Sequence, residues 1–138
     1  MLLLDTNVLV KLSDPGQKDQ VLPYLRQRTD ETWVTSSLVI FEFFRPAHRR
    51  QQVTEVQAWL GSVLDGIEAL DESAALEAAQ VEASLGNQGT TLSMRDVLIA
   101  SHSRTIGATF VTADRADFGG KPVQDLLDVD VIGRPEDT

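Results

Sequence analysis

The sequence predicts an α/β fold, a three-layer α/β/α arrangement around a mainly parallel sheet of four or five strands. Three observations carry that prediction. Short apolar runs at 2–4, 33–35, 66–70, 108–112 and 129–132 alternate with helical segments. The connections between runs are far longer than a hairpin, as parallel crossovers require. The runs are apolar on both faces, as strands covered by helices on each side must be. With 138 residues, 42% of them apolar, the chain suffices for one domain with its own core. That domain is taken as residues 1–133, followed by a frayed tail, 134–138.

Leu2, Leu3 and Leu4 make a buried strand, because Asp5, Thr6 and Asn7 follow at once with turn and cap chemistry. Asp14 and Pro15 form an N-cap and first-turn pair, which predicts a helix over about 15–28 with Val21, Leu22 and Leu25 inside. After the second strand, Ser36 or Ser37 caps a helix over 38–45 that Pro46 bends or closes. A further helix covers 49–64. Asp71 caps an Ala-rich helix over 73–85, stopped by Gly86, and a polar loop spans 87–91. Ser93 and Asp96 have the spacing of a helix start, and the apolar helix 97–106 ends at Gly107.

The charge is −9, from 12 basic and 21 acidic residues. Such a surface does not hold a polyanion by bulk electrostatics, so nucleic-acid chemistry requires local basic patches or metal ions. The lack of cysteine excludes disulfides, a thiolate nucleophile and a Cys-type zinc site. Three leucines before Asp5 fall short of a signal peptide, and no stretch approaches the ~20 apolar residues of a bilayer span. The expectation is a cytoplasmic protein with no membrane partner.

Sites in parallel sheets form beyond the carboxyl ends of the strands. Asp5 follows the first strand, Asp114 the fourth, and Asp96 and Glu42 stand in early turns of helices that begin at the same edge. Each has a plain structural alternative: Asp5 a turn cap, Asp96 a capping-box acid, Asp114 a turn residue, and Glu42 an ion pair with Arg45 or Arg49. Those alternatives do not account for four carboxylates on one edge, one of them alone among Leu38, Val39, Ile40, Phe41, Phe43 and Phe44. Asp117 is a fifth candidate beside its reading as a turn acid. Clustered carboxylates repel, and a divalent cation removes the conflict. Oxygen ligands suit Mg²⁺ or Mn²⁺, which activate water for phosphodiester hydrolysis.

In Leu4-Asp5-Thr6-Asn7-Val8-Leu9, in Glu42 within its hydrophobic helix, in Arg95-Asp96-Val97-Leu98-Ile99-Ala100 and in Val111-Thr112-Ala113-Asp114 with Asp117-Phe118, the chain resembles the PIN-domain ribonucleases, and among them the VapC-type toxins of toxin–antitoxin pairs. The resemblance implies a metal-dependent endoribonuclease whose Asp5, Glu42, Asp96 and Asp114 hold Mg²⁺ (or Mn²⁺) directly or through water. Asp114 and Asp117 compete for the fourth place, with Asp114 preferred as nearer the strand end. Asn7 and Thr112 are implied as polar supports. A cognate VapB-type antitoxin, able to insert an arginine among the carboxylates, and a homodimer are the implied partners.

Lys11, Arg45, Arg49, Arg50, Arg95 and Arg115 are the candidates for RNA phosphate contacts, each with ordinary surface charge as its alternative. His48 and His102 lack a second histidine at metal spacing and are assigned structural or solvated roles. Phe41, Phe43 and Phe44 surround Glu42 on too many faces for one stripe, so the helix is either wholly buried or part of an interface. Two other functions fit parts of the pattern. One is a haloacid-dehalogenase-like phosphatase with Asp5 as nucleophile, although Asn7 stands where a second Asp is wanted. The other is a non-catalytic protein-binding module. The same metal cluster acting on DNA is a third variant.

Overall fold

Five short strands pair in the order β3-β2-β1-β4-β5, every neighbouring pair parallel, in a computed structural model that describes residues 1–46 and 51–133. They are β1 (Leu2–Leu4), β2 (Trp33–Ser36), β3 (Gly66–Glu68), β4 (Thr109–Thr112) and β5 (Val129–Val131). The described helices are α1 (Thr6–Ser13), α2 (Leu22–Arg26), α3 (Ser37–Phe44), α4 (Val53–Val63), α5 (Glu72–Asn87), α6 (Met94–Thr105), α7 (Arg115–Phe118) and α8 (Lys121–Leu126). They cover both sides of the sheet. The expected three-layer parallel architecture is therefore the observed one.

The middle strand explains why its sequence is three leucines. Leu2, Leu3 and Leu4 are fully buried, with Leu3 opposite Val34 of β2 on one side and Phe110 of β4 on the other. A strand enclosed on both edges and both faces has no position that tolerates a polar side chain. Phe110 meets Phe118 of α7 edge-on, with ring centroids 5.1 Å apart, while Phe43 of α3 stacks on Trp59 of α4 at 6.0 Å.

The N-terminal third departs from the expectation. Thr6–Ser13 is a helix, capped by Asp5, where turn and cap chemistry was expected at Asp5, Thr6 and Asn7 but no helix. The expected helix over 15–28 is broken: Asp14 ends α1 as its C-cap and binds Gly16 N through its side chain, a 3-10 turn covers Lys18–Gln20, and only Leu22–Arg26 is α-helical. Pro23 accounts for this, since inside a longer helix its ring would clash with a preceding carbonyl, whereas in the first turn of α2 it fits. Val21 and Leu25 are buried as expected, but Leu22 only partly so.

Three other boundaries moved. Helix α4 is described from Val53, and residues 49 and 50 of the helix expected over 49–64 lie outside the described residues. Gly86 does not stop α5, which continues to Asn87; the reversal falls at Gly89, whose φ is +74°. Helices α7 and α8 occupy a stretch for which no element was expected. Gly107 does end α6. Its φ is +70°, Gly107 N donates to Arg104 O at 3.2 Å and Ala108 N to Ser103 O at 2.9 Å, the paired bonds of a Schellman cap. No atom stands within 4 Å of an added Cβ there, so only backbone strain opposes a side chain. Gly107→Ala is expected to cost about 1 kcal/mol in urea denaturation.

Candidate active site

The strand order reverses between β1 and β4, and the crevice outside their carboxyl ends is where such sheets place ligands. Asp5 and Asp114 flank that crevice. Only Asp5 separates β1 from α1, so it is pinned as the N-cap: Oδ1 accepts from Thr6 N at 2.7 Å and Oδ2 from the Thr112 hydroxyl at 2.8 Å. Asp5 is 1% exposed. Asn7 ties the two strand ends together, donating through Nδ2 to Thr112 Oγ1 at 3.2 Å and accepting from Ala113 N at 2.9 Å. The Thr112 oxygen also accepts from Asp114 N at 3.1 Å. Asn7 and Thr112 thus set the spacing of two acids that are 109 positions apart in the numbering.

Glu42 arrives from α3 and Asp96 from the first turn of α6, whose N-cap Ser93 accepts from Asp96 N at 3.1 Å. Arg49 lies outside the described residues, and among those described the direct ion-pair partner of Glu42 is not Arg45, which acts on it through its charge. Arg95 takes that place: its Nε donates to Glu42 Oε1 and Oε2 at 3.1 and 2.9 Å, and its Nη2 to Glu42 Oε1 at 2.7 Å. The same guanidinium reaches Asp5 Oδ1 at 2.5 Å through Nη2 and Asp96 Oδ1 at 3.0 Å through Nη1. Thr6, which the sequence reading passed over as a turn residue, donates from Oγ1 to Glu42 at 2.6 Å and accepts from Arg95 at 3.0 Å. Its position directly after a strand-end Asp was the available signal.

Burial and pairing act against each other on these groups. Burial pushes the Asp5 carboxyl up, outweighing the hydrogen bond and charge of Arg95 and the bonds from Thr112 and Thr6. Partial burial pushes Glu42 up as well, but there the hydrogen bonds from Arg95 and Thr6 and the charges of Arg95 and Arg45 win, and its pKa is lowered. Arg95 is desolvated, yet bonds to Glu42 and Asp5 hold it more firmly protonated than usual.

Asp114 caps α7, accepting from Asp117 N at 3.0 Å. Asp96, Asp114 and Asp117 each place a carboxylate oxygen within 4.8 Å of the others. Asp117 is pushed up to about 6, by its contact with Asp114, then by desolvation and by the charges of Asp114 and Asp96. That shift follows from three carboxylates held close together. A donor set of carboxylate oxygens with surplus negative charge fits a hard divalent cation.

The four acids line a cavity of about 510 Å³ together with Asn7, Arg95, Lys11 and Arg45. Lys11 Nζ donates to Gln20 at 2.6 Å, and the Arg45 guanidinium stands 5.8 Å from the centre of the exposed Phe41 ring. Arg115 lies apart, at a second cavity with Tyr24, Arg28 and Asp130, with its Nε buried and unpartnered. Arg49, Arg50 and His48 lie outside the described residues. Of the three phenylalanines around Glu42, Phe43 is buried, Phe44 partly so and Phe41 is 62% exposed.

His102 is buried behind the site, its Nδ1 2.9 Å from Ser36 Oγ. Burial lowers its pKa from 6.5. As pH falls through 6.5 the unfolded chain takes up this proton before the folded one, so the stability that neutral His102 contributes is lost on acidification. Asp117, raised in the fold, works in the opposite direction. The stability gap between wild type and His102→Gln is therefore expected to narrow from about pH 7.5 to about pH 5.5, as urea titrations of both proteins would show.

Residues 2–119 match the PIN domain. No curated protein sequence matches the chain. Among solved structures, FitAcB from Neisseria gonorrhoeae is 22% identical with a TM-score of 0.76, over 94% of this chain and 96% of that one. DNA-bound VapBC from Salmonella typhimurium is 21% identical with a TM-score of 0.73, over 94% and 96%. VapC20 from Mycobacterium tuberculosis, described as a sarcin-ricin loop cleaving toxin, is 17% identical with a TM-score of 0.59, over 92% and 96%. The match over residues 2–119 spans every acid of the crevice: the chain belongs to the PIN domain family.

Proposed function

We propose that the chain is a metal-dependent endoribonuclease and the toxin of a type II toxin–antitoxin pair. The observation that carries this reading is the convergence of Asp5, Glu42 and Asp96 on one guanidinium, that of Arg95, with Asp114 on the same cavity wall, at the crevice where the strand order reverses. Asp5, Glu42, Asp96 and Asp114 would hold Mg²⁺ or Mn²⁺, with Asp117 beside Asp114 as an auxiliary ligand. When bound, such an ion polarises the phosphoryl oxygen and makes water a competent nucleophile near neutral pH. Asn7 and Thr112 fix Asp5 against Asp114, so that the oxygens need no rearrangement when a substrate arrives.

Lys11 and Arg45, which line the cavity, would take RNA phosphates near the scissile bond, and Arg115, at the second cavity, one farther along the strand. RNA is favoured as substrate because VapC20 carries that activity in its description, and single-stranded or looped RNA suits a small acidic domain without a duplex-reading element. An antitoxin partner is supported by the VapBC structure from Salmonella and a toxin–antitoxin complex from Klebsiella pneumoniae among the similar structures. Exposed Phe41 and Ile67 offer apolar surface for that partner or for a homodimer. We assign the catalytic domain to residues 1–133 and its location to the cytoplasm; no described helix is long and apolar enough to cross a membrane.

The test is 5′-end sequencing of total cellular RNA after incubation with purified, antitoxin-free protein, with and without Mg²⁺. Discrete cuts that require the metal are expected. Cuts that persist in excess chelator would remove the metal dependence, and none at all from folded protein would remove the nuclease reading.

A further inference from the structure

Arg95 stands where the charge of the site demands a cation. One guanidinium engages three of the four acids assigned to metal binding, with 2.7 Å to Glu42, 2.5 Å to Asp5 and 3.0 Å to Asp96. The contact is not a surface pairing of long, wandering side chains. Glu42 gives both oxygens, Thr6 closes the ring between Arg95 and Glu42, and Asp5 is buried. Arg95 itself remains 27% exposed along the cavity wall, which leaves it a route to solvent.

A divalent ion placed between Asp5 and Glu42 and this guanidinium exclude one another. Asp5 Oδ1 and Glu42 Oε1 both already bind the same nitrogen, Nη2, so the point within reach of both acids is filled. We propose that Arg95 is a built-in competitor for the divalent ion: it holds the cation position between Asp5 and Glu42 in the metal-free protein and leaves when the ion ligates Asp5. This rests on the metal-dependent reading above. It goes beyond that reading by giving the chain its own threshold for metal loading. In the metal-free state Arg95 spares the fold the repulsion of three adjacent carboxylates. The ion must then outcompete a multidentate, charge-assisted contact before the site is assembled.

Two measurements test this without relying on activity. Isothermal titration of Mn²⁺ into folded Arg95→Gln is expected to show binding about tenfold or more tighter than into wild type, since the competing charge is gone. In wild-type protein the ¹⁵N resonance of Arg95 Nε, identified by its loss in Arg95→Lys, is expected to be sharp and protected without metal and to shift or broaden at saturating Mg²⁺. Equal or weaker Mn²⁺ binding by Arg95→Gln overturns the proposal and leaves the nuclease reading standing, and so does an Nε resonance indifferent to Mg²⁺. If Arg95→Gln does not fold, the wild-type resonance decides alone. No Mn²⁺ binding to wild type or variant overturns both the proposal and the metal-dependent reading.

Discussion

Asp96→Asn is expected to reduce Mg²⁺-dependent RNA cleavage by about a thousandfold without unfolding the protein. Asp96 is the acid common to both halves of the cluster. Its Oδ1 binds Arg95, beside Asp5 and Glu42, while its carboxylate also stands within 4.8 Å of Asp114 and Asp117 oxygens. The amide has the same shape and can still accept from Arg95 Nη1, and the helix cap from Ser93 to the Asp96 backbone is untouched. What is removed is one negative charge from a site that works by charge. A Mn²⁺-dependent rise in melting temperature should therefore vanish along with cleavage. Rates on an end-labelled RNA, with circular dichroism as the fold control, provide the measurement. A variant that kept a tenth of the wild-type rate would take Asp96 out of the metal-binding set.

Phe110→Ala should destabilise the protein by about 3–5 kcal/mol, a large share of the 5–15 kcal/mol typical of a whole domain. Phe110 is completely buried in β4, in register with Leu3 of β1 and Val129 of β5, and its ring is held edge-on by Phe118. Truncation removes the ring's contacts and leaves a void that β-strand backbones on both sides prevent from closing. The effect reaches the site as well, because β4 carries Thr112 and leads directly into Asp114. Guanidinium denaturation of the variant gives the number. A loss below about 1 kcal/mol would mean that the core relaxes around the void, contrary to the packing described.

The sheet was legible because its strands are written in the plainest terms available to a sequence. Three leucines, then an acid and an asparagine, are hard to place anywhere but a buried strand ending at a polar edge. The helices around it were less so. Asp5, Thr6 and Asn7 favour turns and helix starts alike; local propensity does not separate the two, and the helix Thr6–Ser13 is decided by Val8 and Leu9 reaching the core. Over 15–28 the cap pair Asp14 and Pro15 points to one long helix, whereas in the protein Pro23 sits in the first turn of a five-residue α2.

At the site, the acids themselves followed from position: the end of a parallel strand or the start of the next helix lies at one edge of the sheet, whatever the side-chain packing. The sequence by itself therefore determined the fold class, the strand order's polar edge and the identity of Asp5, Glu42, Asp96 and Asp114 as its carboxylates. Only the tertiary structure decided how those charges are balanced. Glu42 has Arg45 three positions on, and that charge does act on it, but the direct contact comes from Arg95, 53 positions away in the chain. Which cation answers a buried acid depends on distance through space and on the desolvation both partners share, and neither quantity is encoded in separation along the chain.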